Sequence, residues 1–235
     1  MAASIGGLAA AHVVERQLRN WEIGRSQRQA DETGAARSVE DFIAISREVG
    51  LDDSAVPALL AERFGWPVFD RELLHHMAGD DAVRRQIYAS MDERDLGWME
   101  ESLRSLMQAE FVRNDYFHRL AETVLTLARQ GRAIFVGRGA DLILPRDYGL
   151  RVRLTASPEH RARRLASQQG LNIDDARRAL ARIRADRDEF IRHHFRVDPA
   201  DPARFDLCIN AERFTPQHAL ELILSAAEAH GITKR

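Results

Sequence analysis

Short apolar runs alternate with longer helical patterns along this chain. Each run is bounded by polar residues, as expected for a buried strand, and the intervals carry apolar residues at helical spacing. Buried strands that are joined through helices favour parallel crossovers and a sheet covered by helices on both faces. We therefore predict an α/β fold with five parallel strands, at residues 42–46, 68–70, 133–137, 150–156 and 206–210.

A long helical insertion separates the second and third predicted strands, over about residues 71–131. Its last part places Leu120, Val124 and Leu127 on one face of a helix. A plain crossover does not need this length, and connections of this size are commonly functional. A second long helical pattern, over about residues 173–195, is rich in arginine. Both segments are therefore candidates for function.

The N-terminal segment has a different pattern. Val14, Leu18 and Trp21 lie at helical spacing, and a polar run follows them. We predict an amphipathic arm helix and a flexible linker over residues 1–38, and a compact domain over residues 39–235. The arm lacks the positively charged start of a signal peptide, and it is the segment through which a homo-oligomer would form.

Composition limits the classes of function. With 45% hydrophobic residues the 235-residue chain can bury a core, and its formal charge of -2 gives no field that would draw it to nucleic acid or to a membrane. No apolar stretch approaches the roughly 20 residues of a membrane helix, so a soluble, cytoplasmic protein is expected. The single Cys208 fits a reducing compartment, and its apolar setting in "FDLCIN" predicts a buried structural thiol.

Polar residues follow three of the predicted strands. Open parallel sheets bind ligands at the carboxyl ends of their strands, and these residues mark that edge. Each group places an arginine near a carboxylate, which favours a shared binding site over ordinary loops that face water. The residues are Ser46, Arg47 and Glu48 after the first strand, Asp70 and Arg71 after the second, and Arg138 and Asp141 after the third.

The segment "VGRGAD" is the most informative of these groups. Gly137 and Gly139 flank Arg138, so the backbone can approach a ligand closely at the start of a helix. The free N–H groups at a helix start favour an anion, and a guanidinium can hold a phosphate through two parallel hydrogen bonds. The segment therefore predicts a phosphate contact at Arg138.

The arginine-rich helix offers a second cluster. Arg184, Arg187 and Asp188 lie within about one helical turn, and Arg192 follows about one turn later. Phosphoryl transfer spreads negative charge over the moving group, and arginines on a closing segment can neutralise that charge. A salt-bridged surface helix and a basic helix on RNA are the alternatives. The histidine pair at 193–194 has no third ligand at metal-site spacing, so no metal site is predicted.

Taken together, several segments resemble one known family. They are "ISREVG", "LAERFGWPVFDRELL", "AIFVGRGADLIL", "RADRDEFIRHHF" and "DPARFDLCINAERFTPQHALELIL". In this order and spacing they resemble the cytidylate kinase-like family, a branch of the nucleoside monophosphate kinases, over about residues 40–225. The resemblance implies a P-loop kinase-like three-layer fold with a helical NMP-binding insertion and an arginine-bearing lid over about residues 184–200.

The resemblance also implies ligands and roles. ATP and Mg²⁺ would be the cofactors, and a nucleoside monophosphate such as CMP, or another small anionic ligand, would be the partner. The ATP phosphates would lie at the loop after the first strand, near Ser46, Arg47, Gly50 and Ser54. The acceptor nucleotide would face Asp70, Arg71, Arg138 and Asp141. The lid would be formed by Arg184, Arg187, Asp188 and Arg192.

The loop after the first strand departs from the family pattern. Family members resemble "SREFGSGGREI", whereas this chain has "SREVGLDDSAV", in which Gly50 is kept and Asp52 and Asp53 are acidic. A carboxylate about 4 Å from a phosphate oxygen opposes binding by roughly 4 kcal/mol at an effective dielectric near 20. Asp53 or Ser54 is also a good N-cap for the following helix, so the chain's own side chain would occupy the anion position.

Two functions follow from the sequence. The first is a cytidylate kinase-like nucleotide-binding protein that transfers the γ-phosphoryl group of ATP to a nucleoside monophosphate. The second is a pseudokinase that keeps the acceptor but does not turn over ATP, and acts as a nucleotide or anion sensor or as an assembly module. RNA binding through the arginine-rich helix is a third class, which the nearly neutral charge of the chain disfavours.

Overall fold

The computed structural model describes residues 39–51, 55–89, 93–107 and 115–232. The predicted arm helix and linker over residues 1–38 lie outside the described residues and stay predictions. The same holds for Asp52, Asp53 and Ser54 of the loop after the first strand. Val39, where the compact domain is predicted to begin, is already buried.

All five predicted strands are present. They are β1 (Phe42–Arg47), β2 (Val68–Phe69), β3 (Ala133–Val136), β4 (Leu150–Thr155) and β5 (Leu207–Asn210). They form one sheet in the order β2-β3-β1-β4-β5. The pairings of β1 with β4, β2 with β3 and β4 with β5 are parallel. The predicted α/β class with a five-stranded parallel sheet is therefore confirmed.

Helices occupy the intervals between the strands. The described helices are α1 (Ala55–Phe64), α2 (Arg71–Gly79), α3 (Asp81–Ala89), α4 (Glu93–Met107), α5 (Asp115–Gln130), α6 (Ala140–Ile143), α7 (Pro158–Gln169), α8 (Ile173–Phe195) and α9 (Pro216–Ala229), with a short 3-10 helix at Pro202–Arg204. The predicted insertion thus contains α2 to α5, and the arginine-rich pattern forms α8. None of these described helices is long and apolar enough to cross a membrane.

The described residues divide into two compact units, and the first comprises residues 39–42 and the described part of Trp66–Tyr148. Phe135 of β3 is at the centre of its aromatic core, stacked on Phe69 with ring centroids 5.6 Å apart and edge-on to Phe42 at 6.4 Å. Helix α5 packs against α2 and α4. Its predicted apolar stripe is fully buried at Leu120, Val124 and Leu127.

The second unit comprises Ile43–Gly65 and Gly149–Arg235. Helices α7 and α8 pack together through a small apolar cluster, which consists of Ala162, Leu165, Ala176 and Leu180. Helix α8 begins at Ile173 because the Asn172 side chain accepts a hydrogen bond from the Asp175 N–H, at 2.9 Å. It ends at Phe195, because Arg196 has a φ of 54°. These caps set the bounds of the helix that carries the predicted lid arginines.

The prediction that Cys208 is a buried thiol is wrong. Strand β5 is at an edge of the sheet, and along it only Ile209 is buried, whereas Cys208 and Asn210 are exposed. The apolar run around Cys208 favoured a strand covered on both faces, but an edge strand can leave one face in water. The predicted covering of both faces of the sheet by helices therefore does not extend to β5.

Candidate functional site

Four side chains of the first unit lie together and are called the Arg138 cluster: Arg71, His75, Tyr116 and Arg138. Arg71 and His75 are one turn apart on α2, Tyr116 is in the first turn of α5, and Arg138 follows β3. The charges of Arg71 and Arg138 both act on the Tyr116 hydroxyl. Arg71 and Arg138, two of the residues predicted to bind the acceptor nucleotide, therefore lie near the same side chain.

Arg138 is held in an unusual backbone conformation. Its φ is 53°, and the flanking Gly137 and Gly139 have φ values of 76° and 72°. Residues other than glycine rarely adopt this left-handed region, and such strain is common at ligand-binding sites. The buried Nε of Arg138 has no hydrogen-bond partner among the described residues. The turn therefore presents a positive group with a donor still available for an acceptor.

Tyr116 orients this arginine. The guanidinium carbon of Arg138 is 5.9 Å from the centroid of the Tyr116 ring, within the range of a cation–π contact. Burial raises the pKa of Tyr116 above its ordinary value, and the charges of Arg138 and Arg71 oppose this rise only in part. The phenol is therefore neutral at physiological pH. Its oxygen is hydrogen-bonded to Nδ1 of His75 at 3.0 Å, which fixes the ring.

Asp70 has a structural role that explains its position. It is the N-cap of α2, and its Oδ1 accepts hydrogen bonds from the backbone N–H groups of Glu72 at 3.0 Å and Leu73 at 2.8 Å. An aspartate immediately before a helix satisfies donors that have no partner within the helix. A contact between Asp70 and an acceptor nucleotide stays a prediction.

Substitutions at Asp70 separate its charge from its capping role. We expect Asp70→Ala to lower the free energy of unfolding by about 1 kcal/mol, and Asp70→Asn to change it by only a few tenths, since asparagine caps almost as well. Urea denaturation of both variants measures the difference. An equal loss in the two variants would show that the charge, and not the cap, is what Asp70 supplies.

The helix expected after Arg138 is present but short. Helix α6 is a single turn, Ala140–Ile143, and Gly139 at its start provides no side-chain cap. So short a helix contributes little dipole, so most of the positive charge in this region comes from Arg138 and Arg71. Asp141 lies in this turn and is buried, with 8% of its surface exposed.

The second unit contains a separate pocket, called the arginine pocket. Its charged lining residues are Glu48, Arg153, Arg161, Arg184, Arg187 and Asp188. Three of the four predicted lid residues are thus brought together here. The fourth, Arg192, does not line the pocket, and its Nη2 is 4.0 Å from Oδ2 of Asp188. Asp188 therefore lies between Arg192 and Arg184, whose Nε is 3.5 Å from the same oxygen.

Arg187 connects α8 to the end of β1. Its Nη2 donates to the hydroxyl of Ser46 at 2.7 Å, and its Nη1 donates to the carbonyl oxygen of Arg47. Ser46 is buried, so its hydroxyl needs such a partner. Two residues predicted to face ATP phosphates and one predicted lid arginine are therefore in direct contact.

Gly50, in the described part of the loop after β1, is closely packed. Gly50 has a φ of 92°, and a Cβ at this position would lie 3.0 Å from Cδ2 of Leu180 and 3.1 Å from Cβ and the carbonyl oxygen of Arg161. The space into which a Gly50 side chain would project is thus filled by α7 and α8. Leu51, the next residue, is buried.

The outer face of α8 is neutralised by ion pairs. Arg177 donates to Oε2 of Glu159 at 2.7 Å and to Oδ1 of Asp174 at 2.9 Å, and Arg178 pairs with Asp175. Arginines that are paired in this way offer little attraction to a phosphate backbone. This part of α8 matches the salt-bridged surface helix, and the hypothesis of RNA binding gains no support from it.

The five-stranded parallel sheet with its helices makes this chain an α/β protein. Residues 42–213 match the cytidylate kinase-like family. The chain belongs to that family, so the resemblance seen in the sequence is confirmed, and membership implies ATP and Mg²⁺ only in general terms. Comparison with curated proteins finds no match.

Three solved structures are reported as similar to this chain, and the first of them has a similar fold. An uncharacterized protein from Eubacterium ventriosum ATCC 27560 is 19% identical with a TM-score of 0.65, and the match covers 81% of this chain and 99% of that one. A shikimate kinase from Bacteroides thetaiotaomicron is 14% identical over 80% of this chain and 98% of its own, with a TM-score of 0.45. A gluconokinase from Sinorhizobium meliloti 1021 is 15% identical over 83% and 96%, with a TM-score of 0.43.

Proposed function

We propose that this chain is a nucleotide-binding protein with a kinase fold. It binds a nucleoside monophosphate such as CMP through the phosphate at the Arg138 cluster, and phosphoryl transfer from ATP–Mg²⁺ is very slow or absent. The observation that carries the proposal is Arg138, whose buried Nε has no hydrogen-bond partner within the described part of the chain. A buried donor left without an acceptor is costly, and a bound phosphate would supply that acceptor.

The chemistry of the cluster suits a phosphate monoester. A guanidinium can donate two parallel hydrogen bonds to phosphate oxygens, and the exposed Arg71 adds a second positive charge. Tyr116 is neutral, so it does not repel an anion, and its ring keeps Arg138 in place. These contacts select the phosphate and leave the choice of base to other contacts.

The loop after β1 supports the proposal that phosphoryl transfer from ATP is very slow or absent. Gly50 packs against Leu180 and Arg161, which leaves no room for a side chain at this position and keeps only one glycine of the family's loop. In the sequence beyond it, Asp52 and Asp53 stand in place of two glycines of the family pattern, and Ser54 stands in place of a basic residue. A carboxylate beside a phosphate opposes binding, and a lost lysine removes an attraction of similar size. Both effects weaken ATP binding.

An active nucleoside monophosphate kinase is the second candidate, and one contact favours it. Arg187 of α8 reaches the end of β1, where it binds Ser46 and the Arg47 carbonyl. If the chain is an active kinase, Arg187 would neutralise the charge of a phosphoryl group at the end of β1. Arg184 and Arg192, which both lie beside Asp188, would add positive charge. ATP–Mg²⁺ would supply the phosphoryl group.

A turnover assay distinguishes the two candidates. We expect calorimetry to show saturable CMP binding, and ADP production from ATP–Mg²⁺ and CMP to stay near background. Robust turnover that is lost in Arg187→Ala would replace the proposal with the active kinase. Arg178→Ala is the matched control, because Arg178 is an exposed, ion-paired arginine of the same helix that does not line the pocket.

A further inference from the structure

Tyr116 connects two members of the Arg138 cluster that belong to different elements. Its ring lies 5.9 Å, at the centroid, from the guanidinium carbon of Arg138, which follows β3. Its hydroxyl oxygen is 3.0 Å from Nδ1 of His75 on α2, and the centroids of these two rings are 5.3 Å apart. All three residues belong to the first unit. Tyr116 therefore links the His75 imidazole to the Arg138 guanidinium.

Within the described part of the chain, the Tyr116 ring is the contact shown for the Arg138 guanidinium. The Nε of Arg138 has no hydrogen-bond partner among the described residues. An arginine side chain that changes rotamer freely loses this freedom when it binds a ligand, and the loss weakens binding. A contact that orients the guanidinium beforehand avoids this loss. An aromatic ring can do so, because a cation is attracted to its face.

The Tyr116 phenol is neutral, and this affects its bond with His75. Burial raises the pKa of Tyr116 above its ordinary value, and the charges of Arg138 and Arg71 oppose the rise. A neutral phenol can donate one hydrogen bond and accept another, and Nδ1 of an imidazole is an acceptor in one tautomer and a donor otherwise. The bond at 3.0 Å can therefore form with either tautomer or charge of His75. The Tyr116 ring stays oriented in each case.

Tyr116 and His75 lie beside the core of the first unit and not within it. Phe117 and Leu120 of α5 and Leu74 of α2 are fully buried, whereas Tyr116 is half-buried and His75 is exposed. Packing between α2 and α5 thus depends mainly on other side chains. The stability of the fold does not explain why a phenol and an imidazole are paired at this position, whereas the orientation of Arg138 does.

We propose that Tyr116 and His75 are a positioning pair for Arg138. Tyr116 holds the guanidinium in the orientation that binds the phosphate of a nucleoside monophosphate, and His75 fixes the Tyr116 ring. This inference rests on the proposed function, because it assigns to these two residues the preorganisation of the same phosphate contact. Both residues act through Arg138, so their contribution to affinity should disappear when Arg138 is replaced.

The first test is a double-mutant cycle of Tyr116 and Arg138 in the full chain. Calorimetry, or ligand-observed NMR where binding is weak, measures the dissociation constant of CMP. Tyr116→Leu removes the ring face and should weaken binding about tenfold, the size expected for a partly desolvated cation–π contact. In the Arg138→Met background, Tyr116→Leu should have no further effect. A residue that only supports the fold would weaken binding equally in both backgrounds.

The second test is a double-mutant cycle of Tyr116 and His75. Tyr116→Phe keeps the ring and removes the hydroxyl, and His75→Ala removes its partner, so each should weaken CMP binding about threefold. The two changes together should weaken it no more than either alone. His76→Ala is the matched control and should leave CMP binding unchanged, because His76 is the next residue of α2 and its charge acts on Asp80 at the end of that helix.

The outcomes separate this inference from the proposed function. If the wild type does not bind CMP, the proposed function fails and the positioning pair fails with it. If Arg138→Met weakens CMP binding but Tyr116→Leu and Tyr116→Phe bind as tightly as wild type, the positioning pair alone is overturned. Losses that are unchanged in the Arg138→Met background also overturn it. Should Tyr116→Leu not fold, Tyr116→Phe in the two Arg138 backgrounds decides in the same way.

Discussion

Replacing Arg138 with methionine should weaken CMP binding by about a hundredfold or more, because the loss of a buried charge-assisted contact commonly costs roughly 3 kcal/mol. Arg138 holds a positive group between two glycines, beside a neutral tyrosine and with an available Nε. Methionine has similar length and no charge, so it preserves packing on the Tyr116 ring. Isothermal titration of CMP against wild type and variant measures the effect.

Two controls define the cause of the loss. Arg138→Lys keeps the charge but loses the two-pronged donor, so its affinity should lie between those of wild type and Arg138→Met. Arg119→Met removes an arginine of the same unit whose Nη1 is 3.3 Å from Oδ1 of Asp81, and it should leave CMP binding unchanged. If Arg138→Met binds CMP as tightly as wild type, Arg138 does not contact the phosphate and the acceptor assignment is wrong.

Replacing Gly50 with alanine should lower the free energy of unfolding by about 3 kcal/mol, through the combined cost of a left-handed residue and of overpacking. Gly50 has a φ of 92°, and its added methyl group would meet Cδ2 of Leu180 at 3.0 Å and the carbonyl oxygen of Arg161 at 3.1 Å. The backbone oxygen cannot move without disturbing α7. Urea denaturation of the full chain measures the loss.

A second glycine provides the matched control. Gly97 lies in α4, is exposed, and has no heavy atom within 4 Å of an added Cβ. Gly97→Ala should therefore raise stability by up to about 1 kcal/mol, the difference in helix propensity. If Gly50→Ala is as stable as wild type, the space beside Gly50 is open after all, and the close packing of α7 and α8 against this position is contradicted.

Features that depend on local pattern were predictable from the sequence. The five strands are apolar runs of suitable length, and α8 has a continuous helical period with Asn172 at its start. The Arg138 turn was predictable because paired glycines around an arginine indicate an exposed, unusual backbone. Its glycines do adopt positive φ values, and Arg138 itself does so as well.

Features that depend on tertiary contacts were not predictable. Tyr116 follows Arg71 by 45 residues, and nothing in the sequence relates it to Arg138; only the spacing of Arg71 and His75 on one helix gave a partial signal. Cys208 was placed in the interior because the strand order, and hence its edge position, cannot be derived from an apolar run. The position of Asp70 before the helical segment "RELL" did indicate an N-cap. The residue type alone could not separate this role from a ligand contact, because aspartate serves in both.

The arginine pocket is the clearest example of this limit. Arg153 and Arg161 lie on different elements, and their approach to Glu48 depends on the register of β4 beside β1 and on the position of α7. Sequence spacing brought Arg184, Arg187 and Asp188 together correctly, because they share one helix. Residues from separate elements can be grouped only when the fold is known.

The central claim is that the chain keeps its acceptor site while its ATP site is impaired. A calorimetric titration of ATP–Mg²⁺ into the wild-type protein, beside one of CMP, tests it most directly. We predict that ATP–Mg²⁺ binds about a hundredfold more weakly than CMP, since the altered loop costs several kcal/mol. Saturable ATP–Mg²⁺ binding as tight as that of CMP would contradict the account.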